Sequence, residues 1–267
     1  MVIVAAEARA EKGPLPQESP MRIAEIFRSL QGEGLLAGTP SVFVRASGCN
    51  LRCGFCDTPY ASWYPEGKQW TVERIVGRVM ELARASASGA ARPDAYGPPA
   101  EPCRHVVLTG GEPMLFADLV PLSGELRRRG FHVTIETAGT RYLPVVCDLM
   151  SVSPKLSNST PSPQEHPQWS ARHERRRQAP EVLRRLVAEY AYQIKFVIDT
   201  PADCEEAERY LAGFPEIDRS RVMFMPQGTE QSRLEAIAQW LAPYCQKHGW
   251  RFCPRRHIEW FGYTRGT

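Results

Sequence analysis

The chain has 267 residues, 43% of them hydrophobic, and a net charge of +3. That length buries one large core or two small ones, and so mild a basic excess does not argue for nucleic-acid binding. With no run of 18 apolar residues, no transmembrane helix is expected, and eight cysteines, three of them in one short motif, suit reduced thiols in a cytoplasmic compartment better than a disulfide framework.

Residues 1–20 are rich in Ala, Glu and Pro, lack the basic and long apolar regions of a secretory signal, and read as a poorly ordered extension. The domain expected to carry the function is 21–267. Arg22 to Leu30 reads as a first strand. It leads into the turn Gln31-Gly32-Glu33-Gly34, which puts polar side chains at a strand end. Ser41 to Ser47 reads as a second strand, with Val42, Val44 and Ala46 on one face and Phe43 and Arg45 on the other. An Arg inside an apolar strand needs a partner, either a structural carboxylate or a bound anion.

The motif Cys49-x3-Cys53-x2-Cys56 follows. Such a loop can turn three sulfurs toward one point, and thiolates suit iron–sulfur clusters or zinc. Zinc sites usually draw two ligand pairs, whereas the other five cysteines here are scattered singly. Three local cysteines on a [4Fe–4S] cube would hold three irons and leave the fourth open to a ligand.

Thr71 to Ala85 reads as an amphipathic helix capped by Thr71, and Ser86 to Pro102 as a surface linker. His105 to Leu108 is a buried-strand run ending in Thr109-Gly110-Gly111-Glu112-Pro113. Those glycines admit close backbone approach, and Glu112 can face an ammonium group; neither the Walker nor the dinucleotide spacing matches. Further on, the pattern predicts a helix from Leu119, strands at Phe131 to Thr137 and Leu143 to Val152, and the turn Ser153-Pro154-Lys155. Ser157 to Gln178, polar and then basic, reads as a solvated loop. A helix at Pro180 to Tyr190, a strand at Tyr192 to Ile198, a helix at Pro201 to Leu211 and a strand at Arg221 to Met225 follow. That strand ends in Met225-Pro226-Gln227-Gly228, before a helix from Glu230 to Lys247, a last strand at Trp250 to Cys253 and a tail from Pro254. Repeated strand–helix alternation predicts a parallel α/β sheet with its site at the carboxyl ends of the strands.

The three-cysteine motif with Phe55 before its last cysteine, together with the Gly-Gly-Glu-Pro turn, resembles the radical S-adenosylmethionine (SAM) superfamily. Ser29 to Gly34, Arg45 to Pro59, Ser153 to Lys155 and Arg255 to His257 are similar to the 7-carboxy-7-deazaguanine synthase family within it. The resemblance implies an incomplete TIM-like (β/α) barrel and ring contraction of 6-carboxy-5,6,7,8-tetrahydropterin with release of ammonia. It further implies a [4Fe–4S] cluster on Cys49, Cys53 and Cys56, and SAM held by Gly111, Glu112, Ser153, Pro154, Lys155, Met225, Pro226, Gln227 and Gly228. Leu30, Gln31, Gly32, Glu33, Arg45, Thr109, His257 and Thr267 would bind the pterin, and Thr58 a Mg2+ ion. A flavodoxin- or ferredoxin-type electron donor and a homodimer, without membrane or nucleic-acid partners, complete the expectation. Two alternatives stand beside it: an activase that makes a glycyl radical on a partner protein, and a zinc-stabilised binding module.

Overall fold

A computed structural model describes residues 20–85 and 103–267; the expected extension before Pro20 and the expected linker at 86–102 lie outside the described residues. Among the described residues nine strands form one sheet in the order β3-β1-β2-β4-β5-β6-β7-β8-β9. β1 (Met21–Leu30) pairs antiparallel with both β2 (Pro40–Ala46) and β3 (Lys68–Trp70). From β2 onward every pairing is parallel, through β4 (His105–Gly110), β5 (His132–Thr137), β6 (Leu149–Val152), β7 (Tyr192–Ile198), β8 (Val222–Pro226) and β9 (Arg251–Phe252). The sheet does not close, which is the expected incomplete barrel. The opening antiparallel ribbon departs from uniform strand–helix alternation, because the loop between β1 and β2 is too short for the crossover that parallel pairing needs.

Helices α1 (Val72–Arg84), α2 (Leu119–Arg128), α4 (Pro180–Glu189), α5 (Pro201–Ala212) and α6 (Gln231–His248) lay apolar stripes on one face of the sheet. Thr71 caps α1 as expected, its side chain accepting from the Arg74 N–H. Strand side chains alternate between faces, and the alternation divides this sheet cleanly. Val44, Leu108, Ile135, Met150, Ile194, Phe196 and Phe224 enter the core with the helices. Arg45, Thr109, Glu136, Ser151 and Lys195 stand on the opposite face. Register aligns them into a polar band: Glu25 opposes Arg45, Arg45 opposes Thr109, and Glu136 opposes Ser151. A one-residue slip in any strand would bury these charges among the aliphatic side chains, so the core packing also fixes the site.

Two expectations are corrected. The strand predicted from Leu143 begins only at Leu149. Pro144 has no N–H for a ladder; Val146 N–H instead donates to Ser123 Oγ at 3.0 Å, and Asp148 accepts from Val133 N–H at 2.7 Å. The predicted solvated loop at Ser157 to Gln178 contains helix α3 (Pro167–Arg177). Its buried side is polar: His173 and Arg177 are sequestered, and Arg177 bonds Glu174 and the Lys155 carbonyl. Without an apolar stripe the periodicity test fails there. The tail, for which no element was predicted, contains α7 (Arg256–Phe261).

Candidate active site

At the carboxyl ends of the parallel strands lies a cavity of about 500 Å³, large enough for a small-molecule ligand. Cys49, Cys53 and Cys56 line one side. The loop carrying them is pinned from outside. Gly54 N–H donates to the Ser159 carbonyl at 2.9 Å, Arg52 N–H to His173 Nδ1 at 3.2 Å, and Trp63 Nε1 to the Cys53 carbonyl at 2.9 Å. α3 therefore braces the cysteine loop. Ser159 Oγ lies 2.9 Å from His173 Nε2, and burial pushes this imidazole down to about 4, keeping it neutral and able to accept.

All three cysteines are free of disulfides. Burial pushes the Cys49 thiol up to about 12, with the Glu112 charge adding to it; burial does the same to Cys53, eased by Lys155. Thiols so placed are inert by themselves, whereas a bound cation makes the thiolate the favoured form. Hydrogen-bonding groups reach two of the sulfurs: Leu51 N–H lies 3.4 Å from Cys49 Sγ, and Ser62 Oγ lies 3.1 Å from Cys56 Sγ. Three soft donors on one wall with such groups fit a cluster that leaves one iron unligated by protein.

The turn after β4 meets this wall. Gly110 has φ +137, and a Cβ there would lie 2.1 Å from the Ala46 carbonyl, so only glycine admits this approach to β2. Gly111 lines the cavity. Glu112, expected to face an ammonium group, does not. It is wholly buried, and its carboxylate accepts from Thr137 Oγ1 at 2.8 Å, Ala138 N–H at 2.8 Å and Met114 N–H at 3.1 Å. It ties the β4 turn to the end of β5 and positions Gly111. Ser153, Lys155, Met225, Gln227 and Gly228 line the cavity, while Pro154 and Pro226 from the same expected set do not.

All eight residues expected to bind substrate line the same cavity. Arg45 Nε bonds Glu25 at 2.6 Å, so the structural partner foreseen for it exists, and its Nη edge remains for an anion. Gln31 Nε2 donates to Glu136 at 3.2 Å, as does Thr109 Oγ1 at 2.8 Å. Glu33 lies 2.8 Å from Lys195 Nζ, 3.3 Å from Arg255 Nε and 4.0 Å from His257 Nδ1. Burial opposes charge on Glu33, but Lys195, Arg255 and His257 outweigh it and hold the carboxyl well below the usual range. Burial likewise opposes charge on Lys195, yet Glu33 and Glu136 raise its pKa. Arg255 also grips Asp57, and its Nη1 donates to the Gly228 carbonyl at 2.5 Å. Thr58 lines the wall beside Cys56.

The tail crosses the mouth of the cavity. Arg256 N–H donates to the Gly32 carbonyl at 2.9 Å, Tyr263 OH to the Asp57 carbonyl at 2.5 Å, and Arg265 pairs with Glu25 at 3.1 Å. A Cβ on Gly32 would fall 2.4 Å from His257 Nδ1. Gly32→Ala is expected to push α7 off the cavity, costing about 1–3 kcal/mol as overpacking does and raising the KM for substrate; thermal melts and substrate titration check both.

Lys195, Glu136, Glu25, Asp57 and Arg255 were missed as site residues. Lys195 had the signal used for Arg45, a charge inside an apolar strand, Tyr192 to Ile198. Glu25 and Glu136 likewise interrupt apolar strands. Asp57 and Arg255 lay inside the quoted motifs.

Residues 43–189 match the Radical SAM superfamily, to which the chain belongs. Over 94% of its length it is 44% identical to a 7-carboxy-7-deazaguanine synthase of Rhodopirellula baltica, covering 90% of that protein. To the synthase of Halobacterium salinarum it is 42% identical, with 88% of each chain covered. Within the superfamily it is thus a member of the 7-carboxy-7-deazaguanine synthase family. The crystal structure of QueE from Escherichia coli shares the fold at a TM-score of 0.60 and 24% identity, covering 89% of this chain and 94% of that one.

Proposed function

We propose that this chain is the radical SAM enzyme that contracts 6-carboxy-5,6,7,8-tetrahydropterin to 7-carboxy-7-deazaguanine, with release of ammonia, in queuosine biosynthesis. The observation that carries this is the lining of the cavity: three thiols and a glycine turn share about 500 Å³ with a band of carboxylate, amide and guanidinium groups. Cys49, Cys53 and Cys56 would hold a [4Fe–4S] cluster, which together with SAM would supply the radical chemistry. The protein's own groups bind, orient and exclude water.

Gly111, Ser153, Lys155 and the Met225 to Gly228 turn form the SAM side. Gln31 and Glu33 present an amide and a carboxylate to the polar edge of the pterin, where a carboxylate accepts N–H bonds. Arg45 offers its Nη edge to the substrate carboxylate, and His257, Thr109 and Thr267 complete the enclosure. Thr58 would supply an oxygen ligand to a Mg2+ ion. Because Lys195 and Arg255 hold Glu33 charged, it is an acceptor throughout the working pH range. The enclosed polar band suits a small polar substrate, which favours the pterin over a glycyl-radical partner protein. The domain spans residues 21–267, the enzyme works as a cytoplasmic homodimer, and an external carrier delivers its electron. No helix among the described residues is long and apolar enough to cross a membrane.

Reduced, anaerobically purified protein incubated with SAM and 6-carboxytetrahydropterin should yield ammonia and 7-carboxy-7-deazaguanine. Formation of 5′-deoxyadenosine without the deazaguanine would overturn the substrate while leaving the superfamily chemistry. Arg45→Met should raise the KM for the pterin by roughly 10- to 100-fold, the scale of one lost charge-assisted pair. A pterin lacking its 6-carboxylate should bind parent and variant equally.

A further inference from the structure

Arg45 is held by a carboxylate that it shares with the other end of the chain. Glu25, opposite Arg45 in the β1–β2 register, accepts at Oε1 from Arg45 Nε at 2.6 Å and from Tyr60 OH at 2.8 Å. Its Oε2 accepts from Arg265 Nε at 3.1 Å, a residue 240 positions away. The Arg265 guanidinium lies over the Tyr60 ring at 3.9 Å, and its Nη1 reaches Glu66 at 2.9 Å. The segment that presents Arg265 is itself tied down. Tyr263 OH donates to the Asp57 carbonyl at 2.5 Å and Thr267 Oγ1 to the Thr264 carbonyl at 2.8 Å. Gly262 and Gly266, with φ of +67 and +82, turn the chain on either side of Arg265.

A carboxylate facing a guanidinium alone tends to close two parallel N–H···O bonds, one to Nε and one to Nη. Around Arg45 only half of that fork is made, because Oε2 of Glu25 is turned to Arg265. The second cation has two consequences. It keeps Oε2 away from Arg45 Nη and so leaves the Nη edge to an anion in the cavity that Arg45 lines. It also gives the group Glu25, Arg45 and Arg265 one positive charge in excess, where Glu25 and Arg45 alone would be neutral toward that anion. The side chains of Arg45 and Glu25 are only 17% and 13% exposed, so this balance is weakly screened. Glu66, its side chain 55% exposed, offsets little of it.

Resting on the reading of Arg45 as the site of the substrate carboxylate, we propose that Arg265 is a positioning residue for Arg45. By occupying Oε2 of Glu25 it holds that carboxylate to a single contact and keeps the Arg45 fork charged and open, so the tail sets affinity for an acidic substrate through Glu25. By linkage, an anion on Arg45 strengthens the hold of Glu25 on Arg265 to the same degree.

The test uses the cluster-loaded enzyme and its Arg265→Met and Arg265→Lys variants. In Arg265→Met the KM for 6-carboxytetrahydropterin should rise roughly 3- to 10-fold, between the worth of an exposed ion pair and that of a hydrogen bond to charge. The kcat should change by less than about twofold, since the contact is made equally in ground and transition states. Arg265→Lys returns the charge and should recover most of the KM. For a pterin lacking its 6-carboxylate, parent and Arg265→Met should have the same KM, and in an Arg45→Met background Arg265→Met should add nothing. Equal losses on both pterins, or a full further loss in the Arg45→Met background, would mean that Arg265 only anchors the tail and would overturn the proposal. A second readout needs no substrate. The Nε–H resonance of Arg45, assigned by its absence in Arg45→Lys, should move in Arg265→Met and return in Arg265→Lys; a resonance that stays in place would also overturn it. Should the parent prove indifferent to the 6-carboxylate, the reading of Arg45 as its site falls, while that resonance still decides whether Arg265 positions Arg45.

Discussion

Cys53→Ala is expected to leave the protein folded but without its cluster, and to lower SAM cleavage by roughly three orders of magnitude or more, since the cofactor carries the hard chemistry. Cys53 occupies the middle of the thiol loop. Its backbone is held independently of its sulfur, its carbonyl accepting from Trp63 Nε1 at 2.9 Å and from Cys56 N–H at 3.3 Å. The loop therefore keeps its path when the thiol goes. Two thiols remain, and an iron without its protein ligand is exposed to loss. Iron per chain, the visible iron–sulfur absorbance and 5′-deoxyadenosine formation are the readouts, with circular dichroism as the check on folding. Full iron content together with retained SAM cleavage would contradict the role given to Cys53.

Lys195→Met should have the larger effect on stability. The Lys195 side chain is 4% exposed and bonds Glu33 at 2.8 Å, with Glu136 at 3.6 Å. Removing Lys195 leaves Glu33 only partly compensated, by Arg255 at 3.3 Å, so the cost should lie at the lower end of the about 3–5 kcal/mol for breaking a buried pair. Urea melts should record that loss, and pterin-dependent turnover should fall with it. Adding Glu33→Gln removes the stranded carboxylate, so the double variant should recover much of the stability without recovering activity. Recovery of neither would mean that Lys195 packs and does not pair.

Acid dependence gives a second reading of the same pair. Because the folded pKa of Glu33 is depressed, its contribution is fully present above the unfolded carboxylate value of about 4.3. It is lost as pH falls from there through the lower folded value. For Lys195 the folded pKa is raised, so its contribution holds below the unfolded value of about 10.4 and fades as pH rises through the folded one. The double variant should lose stability more gently than the parent on both flanks.

What could be read from the sequence is what depends on short spacing. Cys49, Cys53 and Cys56 lie within eight residues, and a loop that short keeps its sulfurs together wherever it sits. The alternation of Val42, Phe43, Val44, Arg45 and Ala46 assigned the two faces of β2 correctly, because strand side chains alternate whatever the neighbouring strands are. Most of the helices were legible for the same reason, each showing an apolar stripe at helical period. α3 was not, because its buried positions are His173 and Arg177, paired with groups from distant segments and invisible to a hydrophobicity pattern. Glu112 was misplaced because its partners, Thr137 and Ala138, lie at and just past the end of the next strand, and no local rule says whether a carboxylate after two glycines faces a ligand or a neighbouring turn.

By itself, then, the sequence determined the thiol triad, the glycine turn, the polar groups ahead of the triad and hence the family chemistry, all through contacts within a few residues. Only the tertiary structure decided that Lys195 and Arg255 clamp Glu33, that α3 braces the cysteine loop, and that the tail covers the cavity. Those contacts join residues more than a hundred positions apart, Glu33 to Lys195 and Arg255, Asn50 to Arg176, Asp57 to Tyr263. They exist because parallel pairing sets the carboxyl ends of successive strands side by side, a juxtaposition that strand register and packing create and no local spacing encodes.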